Sequence, residues 1–305
     1  MAKLNLNAVR VFTVVLAEGS FAAAGKALGL PTSNVSRHIN TLEQSLGTRL
    51  LERQKRPLQP TEAGAALFER FRGALDGLDD FVEMLRPDAA HLRGRLRVSL
   101  PSEVGPLLLG RALVDFVCQH PELEVRCVTT YASLDTGLAD TDLAVLVGRG
   151  ELPNSLWVAR PLISFDSVVV AAPALIARHG RPRHTTELAH LPCITTASIL
   201  GGAPWRFRSG NGRIVNQTVQ AQVRLDSGAL ALEAARQGVG YAILARSACQ
   251  AALEAGELEV LDLDKTAAPL ELFAAYPQRK YLPRKIQALI AHFAQALRLA
   301  GPTAS

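Results

Sequence analysis

The chain has 305 residues, 48% of them hydrophobic and 20% charged, the balance of a globular protein rather than a disordered one. No apolar run approaches the roughly eighteen residues that a membrane-spanning helix needs. Its 33 Lys and Arg exceed its 28 Asp and Glu by five, and the excess is local: residues 1–60 hold eight basic side chains and three acids, whereas residues 61–305 balance. One end of the protein therefore reads as a polyanion-binding surface.

Residues 4–17 place Leu6, Val9, Phe12, Val15 and Leu16 on one face of a helix. The next stretch, SFAAAGKALGLPTSNVSRHINTLEQSLG (20–47), reads as two short helices and a tight turn. Ser20 can cap the first, Gly29 can end it in the left-handed conformation, and Pro31 or Thr32 opens the second. Val35, Ile39, Leu42 and Leu46 then form an inward stripe. The other face carries Thr32, Ser33, Asn34, Ser36, Arg37, His38 and Asn40, with no acid before Glu43. Short donors and acceptors directly after such a turn suit the base edges of a DNA major groove. An ordinary solvated helical hairpin is the competing reading, and the basic segment that follows weighs against it. That segment, Arg49–Arg56, predicts a strand over 49–53, a turn with Lys55, Arg56 and Pro57, and a return strand ending near Pro60. This is a wing, with Arg49, Arg53, Lys55 and Arg56 for phosphates or the minor groove.

Thr61 starts a helix running to about Arg86. Leu67, Phe71, Ala74, Leu78, Phe81 and Leu85 alternate by four and three, a dimerising coiled-coil seam that Phe68, Leu75 and Val82 widen. Packing on its own domain is the alternative for this helix. Pro87 and the basic segment 91–97 then form a hinge.

From Gly94 the pattern becomes α/β. Strands are expected at 95–101, 123–130, 142–148, 165–173, 219–226, 239–245, 258–263 and 270–276, with helices between the first two and at 227–237, 246–254 and 282–299. The Val/Ile/Leu runs imply mostly parallel sheet buried on both faces. About 200 residues is large for one such sheet, so two subdomains with a cleft between them are expected. The segment MAKLNLNAVRVF lacks an apolar signal core, so export is not expected. Cys118, Cys127, Cys193 and Cys249 show no CxxC pairing and read as reduced core residues in a cytoplasmic protein.

These residues resemble the LysR-type transcriptional regulators. The resemblance rests on FAAAGKALGLPTSNVSRHINTLEQSLGTRLLER…LQPTEAG and continues through GRLRVSLP, DLAVLVG, WVARPL, the ARHGRPRHTTELAHLPCI block, DSGAL and QGVGYAILA, covering nearly the whole chain. The LGLPTSNVSRHI variant and the HGRPRHTTELAHLPCI block look most like the branch with CrgA-like and quinone- or aromatic-responsive members. The resemblance implies a winged helix-turn-helix over 1–60, a linker and dimerisation helix with hinge over 61–90, and an effector domain over 91–300. The last is similar to type-2 periplasmic binding proteins, with subdomain I at about 94–162 and 267–300 and subdomain II at about 163–266. The class is thus α+β and multidomain. Such regulators are usually tetramers that bind DNA dyads upstream of a divergent gene and of their own, under control of a small-molecule effector.

Carried over residue by residue, Thr32, Ser33, Ser36, Arg37 and Asn40 fall at base and phosphate contacts, and Arg53 and Arg56 fall in the wing. Thr32 stands where many relatives have glutamine. The effector pocket is expected at Ser102, Thr129, Thr130 and Gly148, after the first three strands, with Trp205, Asp226 and Ser227 on the opposite wall. Leu146 stands where many relatives have arginine, which argues for a less basic neighbourhood. Together with Asp226 it points to an aromatic or weakly polar effector rather than a dicarboxylate.

Two other classes compete with this one. For a small-molecule enzyme, GSFAAAGKA has five residues between Gly19 and Gly25 where a phosphate loop has four, Ala27 replaces the metal-binding hydroxyl, and Gly238–Val239–Gly240 opens a strand after a helix, the reverse of dinucleotide order. His184, His190 and Cys193 lack metal-ligand spacing. No catalytic residue, cofactor or metal is expected. A solute-binding or sensor protein would fit the second half and leave the basic first sixty residues without a role.

Overall fold

The computed structural model describes residues 4–52, 58–84, 92–130, 141–149, 157–196, 204–278 and 282–300. It divides into two compact units, Met1–Ala89 and Ala90–Ser305.

The first unit runs α1 (Leu6–Glu18), α2 (Phe21–Leu28), α3 (Thr32–Leu46), β1 (Leu51–Glu52), β2 (Gln59–Pro60) and α4 (Glu62–Met84). Asn5 caps α1, accepting from the amides of Asn7 and Ala8, and Ser20 caps α2, accepting from Ala23 N at 3.1 Å. Gly29 ends α2 at φ 63°, a conformation costly for any residue with a Cβ. Val35, Ile39 and Leu42 of α3 are 0–1% exposed and pack with Val9, Phe12 and Val15 of α1 and Ala24 of α2. Each is worth about 1.5–3 kcal/mol of burial.

The wing is short. β1 and β2 pair antiparallel, Leu51 with Pro60 and Glu52 with Gln59. The turn that would carry Arg53, Lys55 and Arg56 lies outside the described residues. Glu43, the one acid of α3, accepts from the amides of Leu50 (2.8 Å) and Leu51 (3.4 Å), so its carboxylate holds the wing entry. Thr61 caps α4 for Gly64 N, donates its hydroxyl to the Arg49 carbonyl and its amide to the Leu50 carbonyl. At Gly64 the chain passes so close that a Cβ would lie 2.0 Å from the Leu50 oxygen.

The seam expected along α4 divides. Leu67, Phe68 and Phe71 pack against the core of this unit and Leu75 is buried within it, whereas Ala74 is exposed and Leu78, Phe81 and Val82 are 44–48% exposed. Leu85 lies outside the described residues.

The second unit holds two five-stranded sheets among the described residues. Sheet I contains β3 (Gly94–Pro101), β4 (Leu123–Thr130), β5 (Leu143–Gly148), β6 (Trp157–Phe165) and β15 (Leu270–Pro277), in the order β4-β3-β5-β15-β6. α5 (Val104–Gln119) and α9 (Arg284–Ala300) bury Phe116, Leu289 and Phe293 against it. Sheet II contains β7 (Ser167–Ala171), β8 (Pro192–Thr196), β11 (Gln220–Leu225), β12 (Tyr241–Ala245) and β13 (Glu259–Val260), in the order β11-β8-β12-β7-β13. α7 (Gly228–Arg236) and α8 (Arg246–Glu254) cover one face. Its other core includes Trp205 and Phe207 of β9 (Trp205–Arg208), which forms a small sheet with β10 (Ile214–Gln217) and β14 (Thr266–Ala267), and Leu175 of α6 (Pro173–His179).

Two expectations are corrected here. The sheets are mixed rather than mostly parallel: in each, two of the four pairings are antiparallel. The run 165–173 is not one strand but the end of β6 and all of β7, split at Asp166 where the chain leaves sheet I for sheet II. It returns at Ala268–Leu270, and Leu270 pairs with Phe165, so the two crossings lie side by side. Asp142 fastens sheet I internally: 7% exposed, it accepts from Arg97 N at 2.9 Å and from the Arg97 guanidinium at 2.9 and 3.0 Å. The cysteines are not uniformly core, since Cys193 and Cys249 are buried while Cys118 and Cys127 are exposed. Among the described residues no single helix is long and apolar enough to cross a membrane.

Gly64→Ala is expected to destabilise the protein by about 1–3 kcal/mol, the usual cost of forcing an extra carbon into a packed contact. Urea denaturation followed by circular dichroism measures it, with Gly73→Ala as the control, because nothing lies within 4 Å of a Cβ at Gly73.

Candidate functional site

Two surfaces stand out. The first is the outer face of α3. Because Val35, Ile39 and Leu42 are locked inward, the row 33, 37, 40, 44 is turned outward by helical geometry. Ser33, Arg37, Asn40 and Gln44 are exposed there, as are Thr32 and Thr41, and Ser36 is half-buried beside them. Asn34 and His38 lie on the flank of that row and are half-buried. Arg49 is exposed at the wing entry. Thr41 and Gln44, absent from the residues named from sequence, share the outward face; their spacing from Arg37 was the available signal. No acid belongs to this face, since Glu43 is turned to the Leu50 and Leu51 amides. What remains is a row of neutral hydrogen-bonding groups around one guanidinium, the chemistry that reads base edges and phosphates.

The second is a cavity of about 1040 Å³ in the second unit, between the two sheets and open at the ends of their strands. Its walls are mostly apolar. Ser102, Thr130, Trp205 and Asp226 line it. Thr129, Gly148 and Ser227 do not. Thr129 is exposed and points to the opposite face of β4 from Thr130, as the period of two requires. Gly148 is buried in the ladder opposite Glu271. Ser227 caps α7, accepting from Leu230 N at 3.2 Å, and donates to Glu103 Oε1 at 3.0 Å.

The neighbourhood is also more basic than Leu146 suggested. Arg149, Arg206 and Arg246 all line the cavity. Arg149 sits where the two crossings meet. Its Nη1 donates to Ser167 Oγ and to the Ala268 carbonyl (2.8 Å), and its Nη2 to the Ile243 carbonyl (3.3 Å). Arg206 in turn donates to the Arg149 carbonyl at 2.6 Å. Burial pushes the Arg149 guanidinium down to about 10, so it stays cationic at neutral pH while bonded to neutral acceptors. An arginine directly after the DLAVLVG strand was legible in sequence; its reach to the hinge was not.

Nothing here assembles a nucleophile. Cys193 is buried, its Sγ 3.6 Å from the Leu188 carbonyl, and burial pushes its thiol up to about 12. His184 and His190 are exposed or half-buried at either end of a 3-10 turn that Glu187 caps, and they do not converge on Cys193. Among the described residues no three His, Cys, Asp or Glu side chains are placed to hold a metal ion.

With this geometry in hand, the likeness to known proteins is informative. Residues 6–65 match the bacterial regulatory helix-turn-helix protein model of the lysR family, and residues 89–298 match the LysR substrate binding domain. The chain belongs to the LysR family. Its relatives include an uncharacterized HTH-type transcriptional regulator of Haemophilus influenzae, 29% identical over 292 residues (94% of this chain, 99% of the relative). An HTH-type transcriptional regulator of Xanthomonas campestris is 37% identical over 184 residues, 60% of this chain and 53% of that protein. Among solved structures, a full-length variant of AphB matches with a TM-score of 0.58 at 23% identity, covering 95% of this chain and 98% of that one, and so supports the fold. As a LysR-family member the chain is a transcriptional regulator with a DNA-binding helix-turn-helix and an effector-binding domain, and not an enzyme.

Replacing Arg149 by Met leaves three acceptors without their donor. A loss of about 1–3 kcal/mol is expected in urea denaturation. A loss no larger than that of Arg111→Met, whose side chain is 96% exposed, would contradict the hinge role.

Proposed function

We propose that this LysR-family regulator binds a promoter dyad through α3 and the wing, and that a small molecule in the inter-sheet cavity controls its DNA binding or bending. The observation that carries the reading is the outward row of α3, where Arg37 stands among neutral donors and acceptors on a surface without acids. Thr32, Ser33, Ser36, Arg37 and Asn40 make the base and phosphate contacts, with Asn34 and His38 on the flank. Arg49, Arg53, Lys55 and Arg56 grip the backbone from the wing. The domain limits of this reading are 1–60, 61–90 and 91–300, and its setting is the cytoplasm, where the DNA lies.

The exposed distal half of α4, with Leu78, Phe81 and Val82, supports a dimer seam there. Two such dimers make the homotetramer. The effector is an aromatic or weakly polar molecule, a reading that the mostly apolar walls and Trp205 favour. The LGLPTSNVSRHI and HGRPRHTTELAHLPCI blocks are the support for the aromatic- and quinone-responsive branch.

Selection from random duplexes by the purified protein is expected to enrich an interrupted dyad. On that dyad, Arg37→Ala should lose roughly 1–3 kcal/mol by fluorescence anisotropy if Arg37 reads a base; an equal loss on random DNA would make it a phosphate contact. For the seam, Leu78→Asp with Phe81→Asp should halve the sedimenting mass, and an unchanged oligomer would move the interface elsewhere.

A further inference from the structure

One carboxylate in the cavity belongs to the wrong side. Glu103 sits in the loop between β3 and α5, elements of sheet I, yet its side chain reaches the start of α7, which packs on sheet II. Its Oε1 accepts from Ala229 N at 2.7 Å and from Ser227 Oγ at 3.0 Å, and its Oε2 accepts from Gly228 N at 2.7 Å. A helix N-terminus leaves its first amides without partners inside the helix and carries a partial positive charge. Ser227 satisfies only the third amide, that of Leu230. The first two therefore need an anion from outside the helix, and Glu103 supplies both oxygens in a two-pronged grip.

Glu103, Gly228, Ala229 and Trp205 all line the same cavity. Trp205 is 3% exposed, and its Nε1 is buried with no hydrogen-bond partner among the described residues. A buried indole N–H on a cavity wall asks for an acceptor from a bound molecule. The walls thus offer two sets of donors, one already holding a carboxylate that the chain provides and one waiting for an acceptor.

We propose that the N-terminus of α7 is a carboxylate subsite which Glu103 occupies as an internal ligand, and that a carboxylate-bearing effector binds by exchanging with it. The effector's head group takes the Gly228 and Ala229 amides and the Ser227 hydroxyl. Its apolar body lies on the cavity wall, with an acceptor for Trp205. Displacing Glu103 breaks the one carboxylate grip described between the two sheets' elements, so binding and cleft opening become a single event. This rests on reading the cavity as the effector site, and it narrows the aromatic or weakly polar class to molecules that carry a carboxylate.

The test uses the full chain with acetate as the probe, and chloride at equal ionic strength and acetamide as controls. Glu103→Ala vacates the subsite, and Glu103→Gln keeps the side chain's bulk while replacing the charged grip by a weaker neutral one. Acetate over chloride should raise the Tm of Glu103→Ala by about 2–4 °C, the shift that a kcal/mol gives in a domain of this size. Glu103→Gln should rise less and the wild type not at all. The carbon-13 resonance of labelled acetate should broaden with the variants and stay sharp with the wild type, which reads binding directly should Glu103→Ala fold poorly. No acetate effect on either variant, an equal effect of acetamide, or an equal effect on the wild type would each overturn the exchange. The outcome is independent of DNA: acetate rescue beside a failed site selection would keep the subsite and sink the regulatory reading, and the reverse would do the opposite.

Discussion

The inward stripe of α3 is the constraint on which the DNA-facing half depends. Val35, Ile39 and Leu42 are buried among α1 and α2, and a helix pinned along one side has no rotational freedom left. Its outward row follows without further specification. The same packing aims Glu43 at the Leu50 and Leu51 amides, where it joins α3 to the wing and leaves the polar face free of negative charge. Thr61 and Gly64 finish the arrangement by drawing the start of α4 against Leu50. One apolar stripe thereby sets the helix face, its electrostatics and the position of the wing.

In the second unit the corresponding role falls to polar groups. The chain crosses between the sheets at Asp166 and again near Ala268, and the crossings are adjacent because Phe165 pairs with Leu270. Arg149 joins residues from both crossings and from β12. A cation held only by neutral acceptors is a strong donor at little local electrostatic compensation. It fixes the pivot, and the cavity opens away from it. At a different point of the wall Glu103 bridges to α7. A fixed pivot and a releasable grip are what a binding event needs if it is to change the angle between two sheets.

Much of this was legible in the sequence, for stated reasons. The helix-turn-helix announced itself through Ser20, Gly29 and the 35-39-42 spacing, because capping, chirality and burial all act within one short stretch. The α/β class was legible in the Val/Ile/Leu strands, and 123–130 and 246–254 coincide with β4 and α8. Strand direction was not, since an antiparallel β15 inserted between β5 and β6 is a long-range pairing that no local pattern encodes. β8 (PCITT), β9 (WRFR) and β10 (IVNQ) escaped because they are short, and Pro or charge interrupts their apolar content. At the cavity, positions after strands were found only to within one residue. A period of two then decides which neighbour faces inward: Thr130 does and Thr129 does not. Glu103, Arg149 and Arg206 act across 57 to 126 residues of sequence, distances over which spacing carries no information.

The central claim is that the outward face of α3 recognises a specific duplex. It is tested most directly by a nuclease footprint of the purified protein on the DNA upstream of its own gene, taken at increasing salt. The account predicts protection of one discrete interrupted dyad that weakens steadily as salt rises, because phosphate contacts release counterions. Uniform coating of the duplex, or no protection at any salt there or on duplexes chosen by random selection, would contradict it.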